Sequence, residues 1–430
     1  MYTRKLIATL LVGGLSLSIT SLSALADSPA IPNNSTWLRP TDNSKLIHFV
    51  RSAVEANPQV LAASSAVSAS SAFEAAAARP LYNPELEIGG ENTDVNTRTL
   101  GISQTIDWGG KRAARTAVAA ADYLAVQADY QRVRQRITTQ LLAALAAYQT
   151  GVERDGLATE RVALMQQFAE LATERFDAGD LSQVEYNLAT LVFADANMLR
   201  ATTAAALADT RQQVENLIAM GGSTPWPTLD TALPTLPAQH NTTALLAALP
   251  ALQAAQRRVD SARAMVTLKK REQRLDPTLS FTGGDEDGER LVGLSLSIPL
   301  PVRNRFSHEV KAASAQYSQT QQSADDLRQR AHSRLTNASQ RYQIAHTAWQ
   351  LWQQIGQANL RQQGDQLRRL WEANELSTTE YLVQIDQTID SRDNALTLRL
   401  SLWQAWFERL AAAAQVDQWL GSDRSTTNTH

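Results

Sequence analysis

The 430-residue chain contains no cysteine, which excludes disulfides, thiolate metal sites, a Cys nucleophile and N-terminal Cys lipidation. It has little net charge. Its 40 Lys and Arg against 43 Asp and Glu leave −3 at pH 7, which offers no electrostatic case for a nucleic-acid partner. Beyond the first 26 residues no segment approaches the ~20 apolar residues of a spanning helix. Enzyme motifs are missing as well. Gly109-Gly110-Lys111 lacks the glycine spacing and the following Ser or Thr of a phosphate-binding loop, and neither G-x-S-x-G nor H-E-x-x-H occurs. The acidic stretch Asp285–Glu289 lacks the spacing and length of a calcium loop and reads as a solvated connection. His332 and His346 stand about four helical turns apart, roughly 20 Å, too far to share an ion. No catalytic residue, cofactor or tightly bound metal is therefore expected.

What is present begins with an export signal. Arg4 and Lys5 form a basic start, Leu6–Ile19 an apolar stretch and Ala24-Leu25-Ala26 an A-x-A cleavage site, so residues 1–26 read as a signal peptide. Cysteine-free export fits a Gram-negative envelope protein.

The rest is organised around Leu100–Arg115. Leu100, Ile102 and Ile106 point one way and Gly101, Ser103 and Thr105 the other, the alternation of a strand with one apolar face. It stops at Asp107–Gly110, and an Ala-rich run with helical spacing follows from Lys111. The same strand-to-helix junction recurs at Leu291–Arg305, where Val292, Leu294, Leu296 and Ile298 alternate with Gly293, Ser295 and Ser297. Glu85–Glu91 and the strand around Leu279 and Phe281 supply the first member of each hairpin.

Helical periodicity fills most of the remainder. Thr41–Ala78 is helical with a break at Asn57-Pro58. From Lys111 to about Asp177 an apolar ladder runs through Tyr130, Val133, Ile137, Leu141, Leu145 and Tyr148 in coiled-coil steps. Unbroken, roughly 65 residues at about 1.5 Å each make a helix of about 100 Å. It ends at Ala178-Gly179-Asp180, and a helix returns from Leu181 to about Met220. A second long helix is expected from about Phe306 to Leu370, ending at Ala373-Asn374-Glu375, with a last helix from Leu376 to about Leu420.

The halves echo each other. Pro250 follows Leu249 as Pro58 follows Asn57, Asp276-Pro277-Thr278-Leu279 matches Asn83-Pro84-Glu85-Leu86 and Glu380-Tyr381 matches Glu185-Tyr186, at offsets of about 192 to 195 residues, which indicates a duplicated domain. The expected division is a first repeat over 27–222 with its hairpin at about 84–106, a Pro-rich linker over 223–240, a second repeat over 241–421 with its hairpin at about 277–298, and a polar tail over 422–430.

Strands of about 8–10 residues suit a tilted transmembrane β-strand. Their second faces carry Glu, Ser, Thr and Gly, which suits a wet lumen. Tyr82 and Trp108 stand where the first hairpin meets its helices, the place of a membrane-interface anchor. Four strands cannot close a barrel and an open edge is not viable in lipid, so the chain would have to oligomerise; three copies would give twelve strands. A small soluble sheet packed on helices is the alternative.

Asn83-Pro84-Glu85-Leu86, Ile106-Asp107-Trp108-Gly109-Gly110-Lys111-Arg112, Ser297-Ile298-Pro299-Leu300-Pro301 with Arg303-Asn304-Arg305, and the duplication together resemble the TolC-type outer-membrane efflux family. Within it the chain is similar to the outer-membrane components of cobalt–zinc–cadmium-type cation exporters. The resemblance covers essentially the whole mature chain. It implies a mainly α fold with a small β part: a homotrimer in which four transmembrane strands per protomer complete a twelve-stranded barrel in outer-membrane lipid, and long coiled-coil helices form a periplasmic tunnel. It further implies a periplasmic adaptor and an RND-type inner-membrane pump as partners, with heavy-metal cations as cargo.

The resemblance also places the entrance and adaptor contact at the helix tips. Gly179, Leu181, Asn374 and Leu376 are thereby adaptor-contact candidates, and Glu185 and Glu380 entrance or gate candidates. The chain departs from well-known members at Leu376 and Val383, where those carry a basic and an acidic residue. Turn chemistry alone also accounts for the tips. Each Glu lies three residues after Ser182 or Ser377, the pattern of a capping box. A drug-exporting duct of the same fold and a soluble periplasmic coiled-coil scaffold remain alternative readings.

Overall fold

The computed structural model describes residues 43–92, 94–218, 226–229, 233, 235–236, 241–373 and 375–421. The expected signal peptide, most of the 223–240 linker, the 422–430 tail and Asn374 lie outside the described residues. Asn57-Pro58 divides α1 (Ser44–Ala56) from α2 (Pro58–Ala77). Pro58 suits a first helical turn because its missing N–H would have no partner there, and Asn57 Oδ1 accepts from the Gln59 amide at 2.9 Å. Then come β1 (Glu85–Asn92), β2 (Asn96–Thr105), α3 (Lys111–Asp177) and α4 (Gln183–Glu215). The same order returns in α5 (Thr242–Ala247), α6 (Pro250–Glu272), β3 (Thr278–Glu286), β4 (Glu289–Ser297), α7 (Ser307–Leu351), α8 (Gln357–Glu372), α9 (Thr378–Ala412) and α10 (Val416–Trp419).

The hairpins join into one four-stranded antiparallel sheet, β1-β2-β3-β4. Its register gathers the alternating side chains. Leu86, Ile102, Phe281 and Leu294 form one row, Ile88, Leu100 and Val292 the next, and Leu279 and Leu296 a third on the same face. The other face carries Glu85, Ser103, Ser280 and Ser295, then Glu87, Gly101, Thr282 and Gly293. Among the described residues no helix covers the apolar face, where Leu86, Ile88 and Leu294 are 69%, 79% and 74% exposed.

Three expectations need correction. Asp285–Glu289 is not an open loop: β3 and β4 run on through it to a two-residue turn, Asp287 and Gly288, both at positive φ (50° and 92°). That mirror-image turn matches the strand twist, and Asp285 Oδ1 accepts from the Gly288 amide at 3.0 Å. The second long helix is not continuous. A π-helical turn at Trp352–Gly356 separates α7 from α8, and a Cβ at Gly356 would lie 2.4 Å from the Trp352 ring. The last helix stops at Ala412, because Ala414 takes a left-handed φ of 55° that a helix cannot continue through. In addition, α2 is long and apolar enough to cross a membrane by length and composition alone. Its apolarity is mostly alanine diluted by serine, and it lies along α3.

The helices share a waist. Ile137, Leu141, Leu142 and Leu145 of α3 pack with Leu46 and Val50 of α1, Tyr342 of α7, and Trp403, Trp406 and Phe407 of α9. Short charge-assisted bonds hold the waist's helices to the sheet. Asp107 accepts from the Lys111 and Arg112 amides, both at 2.8 Å, capping α3. Burial pushes that carboxyl up, but the amides of Arg112, Lys111 and Gly110 outweigh it and leave it below its ordinary value. Asp276, only 6% exposed, accepts from Tyr82 Oη at 2.7 Å and from Lys111 Nζ at 2.8 Å. The Tyr82 phenol is pushed up to about 12, chiefly by that hydrogen bond. Asp276 therefore ties the second half of the chain to both ends of the first hairpin.

Asp276→Ala should cost about 1–3 kcal/mol, because it strands a half-buried ammonium and a phenol together. Asp276→Asn, which keeps an acceptor for Tyr82, should cost less. Thermal unfolding in detergent checks the order wild type, Asn, Ala.

Candidate functional site

Far from the sheet, each long helix reverses at a tip. α3 ends with Gly179 at φ +81°, which leaves the Asp180 amide to donate to Arg175 O at 2.8 Å and the Gly179 amide to Phe176 O at 3.0 Å. This is the left-handed helix end that glycine tolerates without a Cβ clash. At the second tip the Glu375 amide donates to Leu370 O at 2.8 Å, the same bond one half-chain later.

Each returning helix starts with a capping box. Ser182 Oγ accepts from the Glu185 amide at 3.3 Å, and Glu185 Oε2 accepts from the Ser182 amide at 3.1 Å and hydroxyl at 2.7 Å. Ser377 and Glu380 repeat this at 3.3, 3.1 and 2.8 Å. The serine hydroxyl first, then the serine amide, holds each carboxyl below its ordinary value of 4.5. The two entrance candidates are thus ionised at neutral pH and structurally occupied. Capping engages Oε2 of each, so the charge still faces solvent.

The tips have a small core of their own. Met165, Phe168 and Ala172 of α3, Ala189 of α4, Leu367 of α8 and Tyr381 and Leu382 of α9 are buried together. Trp371 stacks on Tyr381 with ring centroids 4.8 Å apart, and Arg175 lies over Trp371. Leu181 and Leu376 pack half-buried against this core, whereas Gly179 is exposed. Val383 is 61% exposed.

Between waist and tips, α3 and α9 are joined by an ion-pair ladder that the sequence reading missed. Glu153 meets Arg399 at 2.5 Å, Arg154 meets Asp393 at 2.8 Å, Glu160 meets Arg392 at 2.7 Å and Arg161 meets Asp386 at 3.0 Å. The partners recur at heptad spacing on both helices, the spacing that coiled coils use for flanking charges. Glu-Arg at 153–154 and again at 160–161 was the available signal. Burial raises the Asp386 carboxyl; Arg161 opposes that, while Asp390 and Asp195 add to it. Each rung is partly exposed, so it is worth about 0.2–1 kcal/mol. Among the described residues no group of His, Cys, Asp and Glu could hold a metal.

Comparison with known proteins fits these features. The outer membrane efflux protein family profile matches residues 49–223. Residues 49–223 thus resemble an outer membrane efflux protein domain. It is 29% identical to the cobalt-zinc-cadmium resistance protein CzcC of Cupriavidus metallidurans over 314 residues, 67% of this chain and 74% of that one. With the nickel-cobalt-cadmium resistance protein NccC of Alcaligenes xylosoxydans xylosoxydans it shares 27% identity over 294 residues, 64% of each chain. The outer membrane protein VceC of Vibrio cholerae has the same fold, with a TM-score of 0.71 and 16% identity, covering 86% of this chain and 95% of that one. The chain thus has the TolC-type fold, a small antiparallel sheet continued by the long helices α3, α4 and α7–α9.

Removing either serine should loosen the start of its helix. Ser182→Ala or Ser377→Ala should speed exchange of the first-turn amides about fivefold, read by hydrogen exchange at fixed pH. Because folding lowers both Glu pKa values, the stabilisation is complete above the ordinary value of 4.5 and is lost as pH falls through the lower folded value. The two boxes should therefore open only in acid.

Proposed function

We propose that three copies of this chain form a passive outer-membrane duct that carries heavy-metal cations from a periplasmic adaptor and an RND-type inner-membrane pump to the exterior. The sheet carries this reading. Its apolar face is bare, and β1 and β4 have no outer strand partner among the described residues. With four strands in antiparallel order, β4 of one copy runs antiparallel to β1 of the next. Three copies can then close without an edge, the condition for residence in lipid. The Glu, Ser and Thr face would line a wet lumen.

The cargo is argued from two sides. The relatives are named for resistance to divalent metals, and a threefold ring of Glu185 and Glu380 carboxylates would concentrate cations at the entrance. The carboxylates conduct rather than chelate, since capping already engages each of them. Exposed Gly179 is the adaptor seat, with Leu181 and Leu376 forming the apolar floor beneath. Opening would part the returning helices over Leu181–Ala196 and Leu376–Arg392 from α3, against the ion-pair ladder. No chemistry is required of the chain in this reading. A duct for small organic molecules would share every element except the need for tip carboxylates.

Planar-bilayer recordings of the detergent-purified chain, with its mass in detergent determined beforehand, test this. Discrete channels from a trimer are expected. Glu380→Ala with Glu185→Ala should lower cation-over-anion permeability at least about twofold at low salt. Unchanged conductance and selectivity would sink the carboxylate ring but leave the duct. A detergent-independent monomer without conductance would overturn the duct itself.

A further inference from the structure

The sheet's two ends carry opposite charge. At the turn end, Glu91, Asp94, Asp285, Glu286, Asp287 and Glu289 outnumber Arg98 and Arg290. At the other end, Thr105, Thr278 and Ser297 share one row, and the chain leaves the sheet there into the ends of α3, α6 and α7. The cations at this end fall into two groups. Lys111 and Lys269 pair with Asp276 and Glu272, Arg115 donates to Arg79 O, and Arg271 donates to Gly109 O. Arg112, Lys270, Arg274, Arg303, Arg305 and Lys311 are exposed and make no ion pair among the described residues. The first group braces the junction, and the second is left over.

The unpaired cations are interleaved with bare apolar side chains. Trp108, Leu300, Val302 and Phe306 are 74%, 72%, 79% and 40% exposed. A cleft of about 310 Å³ at the same level has apolar walls of Leu81, Leu268 and Phe306 beside Lys111. Apolar groups next to cations at one edge of a membrane-length sheet suit an interface where hydrocarbon meets negative charge. The cations are spread over three helix ends and one connecting segment rather than aimed at one point, so they fit a plane of many anionic groups better than a single bound anion.

We propose that this collar binds the headgroup phosphates of anionic phospholipids in the leaflet nearest the helices. The proposal rests on the outer-membrane reading above. It adds a lipid preference to it: the collar fixes the depth of the barrel, and the acidic turn end faces the opposite side.

The test is native mass spectrometry of the full chain released from detergent, after incubation with equimolar phosphatidylglycerol and phosphatidylcholine. Wild type should retain phosphatidylglycerol at least about tenfold in preference. The combined variant Arg112→Gln, Arg274→Gln, Arg303→Gln, Arg305→Gln should retain the two lipids within about twofold of each other, while the same four positions changed to Lys should keep the preference. Millimolar inorganic phosphate should not compete. Equal retention by wild type, a preference that survives the Gln variant, or competition by free phosphate would each overturn the collar. If the Gln variant changes channel ion selectivity with lipid preference intact, the cations face the lumen; the collar then falls and the duct stands. A chain that enters no bilayer overturns the outer-membrane reading itself.

Discussion

In hydrocarbon each unsatisfied backbone N–H or C=O costs several kcal/mol, so a sheet with two open edges cannot rest there alone. That constraint shapes the chain. The strands pair in one antiparallel sheet with their apolar side chains on one face. An even strand count lets copies join edge to edge. The long helices extend from one end of the sheet, where Asp276 and Asp107 fix the exits of both hairpins.

The two ends of the helical part are held differently. At the sheet, Asp276 is buried and accepts two short bonds, so losing it strands groups with no water to replace it. At the tips, the capping boxes are exposed, and the ladder from Glu153–Arg399 to Arg161–Asp386 is built of partly exposed pairs. Such pairs exchange readily for water. Rigidity is thus concentrated at the sheet junction, and the weaker bonds lie toward the tips. The π turn at Trp352–Gly356 falls on the same side, between waist and tip, in the second half only. π turns of this kind are frequent at functional sites.

Much of this was legible in the residues because its causes are local. Alternation at Leu86–Ile88 and Val292–Leu296 gave strand and face together, Asn57-Pro58 marked the break between α1 and α2, and Gly179 with Ser-x-x-Glu marked the first tip. The features that escaped have distant causes. Glu160 and Arg392 are 232 residues apart, and heptad spacing becomes an ion pair only once two helices share a register. Lys111 and Asp276 are separated by 165 residues. At the π turn Gly356 lies against the Trp352 ring where a Cβ would clash, a contact that has no periodic signature. Asp285–Glu289 looked like a loop because its acidity outweighed its pairing, yet backbone bonds carry strands through to Asp287-Gly288.

The central claim is that one face of this sheet lies in lipid and the other in water. The absence of native cysteine makes that directly measurable by single-cysteine spin labelling along β4 in reconstituted bilayers. Labels at Val292, Leu294 and Leu296 should be accessible to oxygen and shielded from a water-soluble nickel chelate, and labels at Gly293, Ser295 and Ser297 should show the reverse. Uniform accessibility to the chelate at all six positions would contradict the account and make the sheet a soluble one.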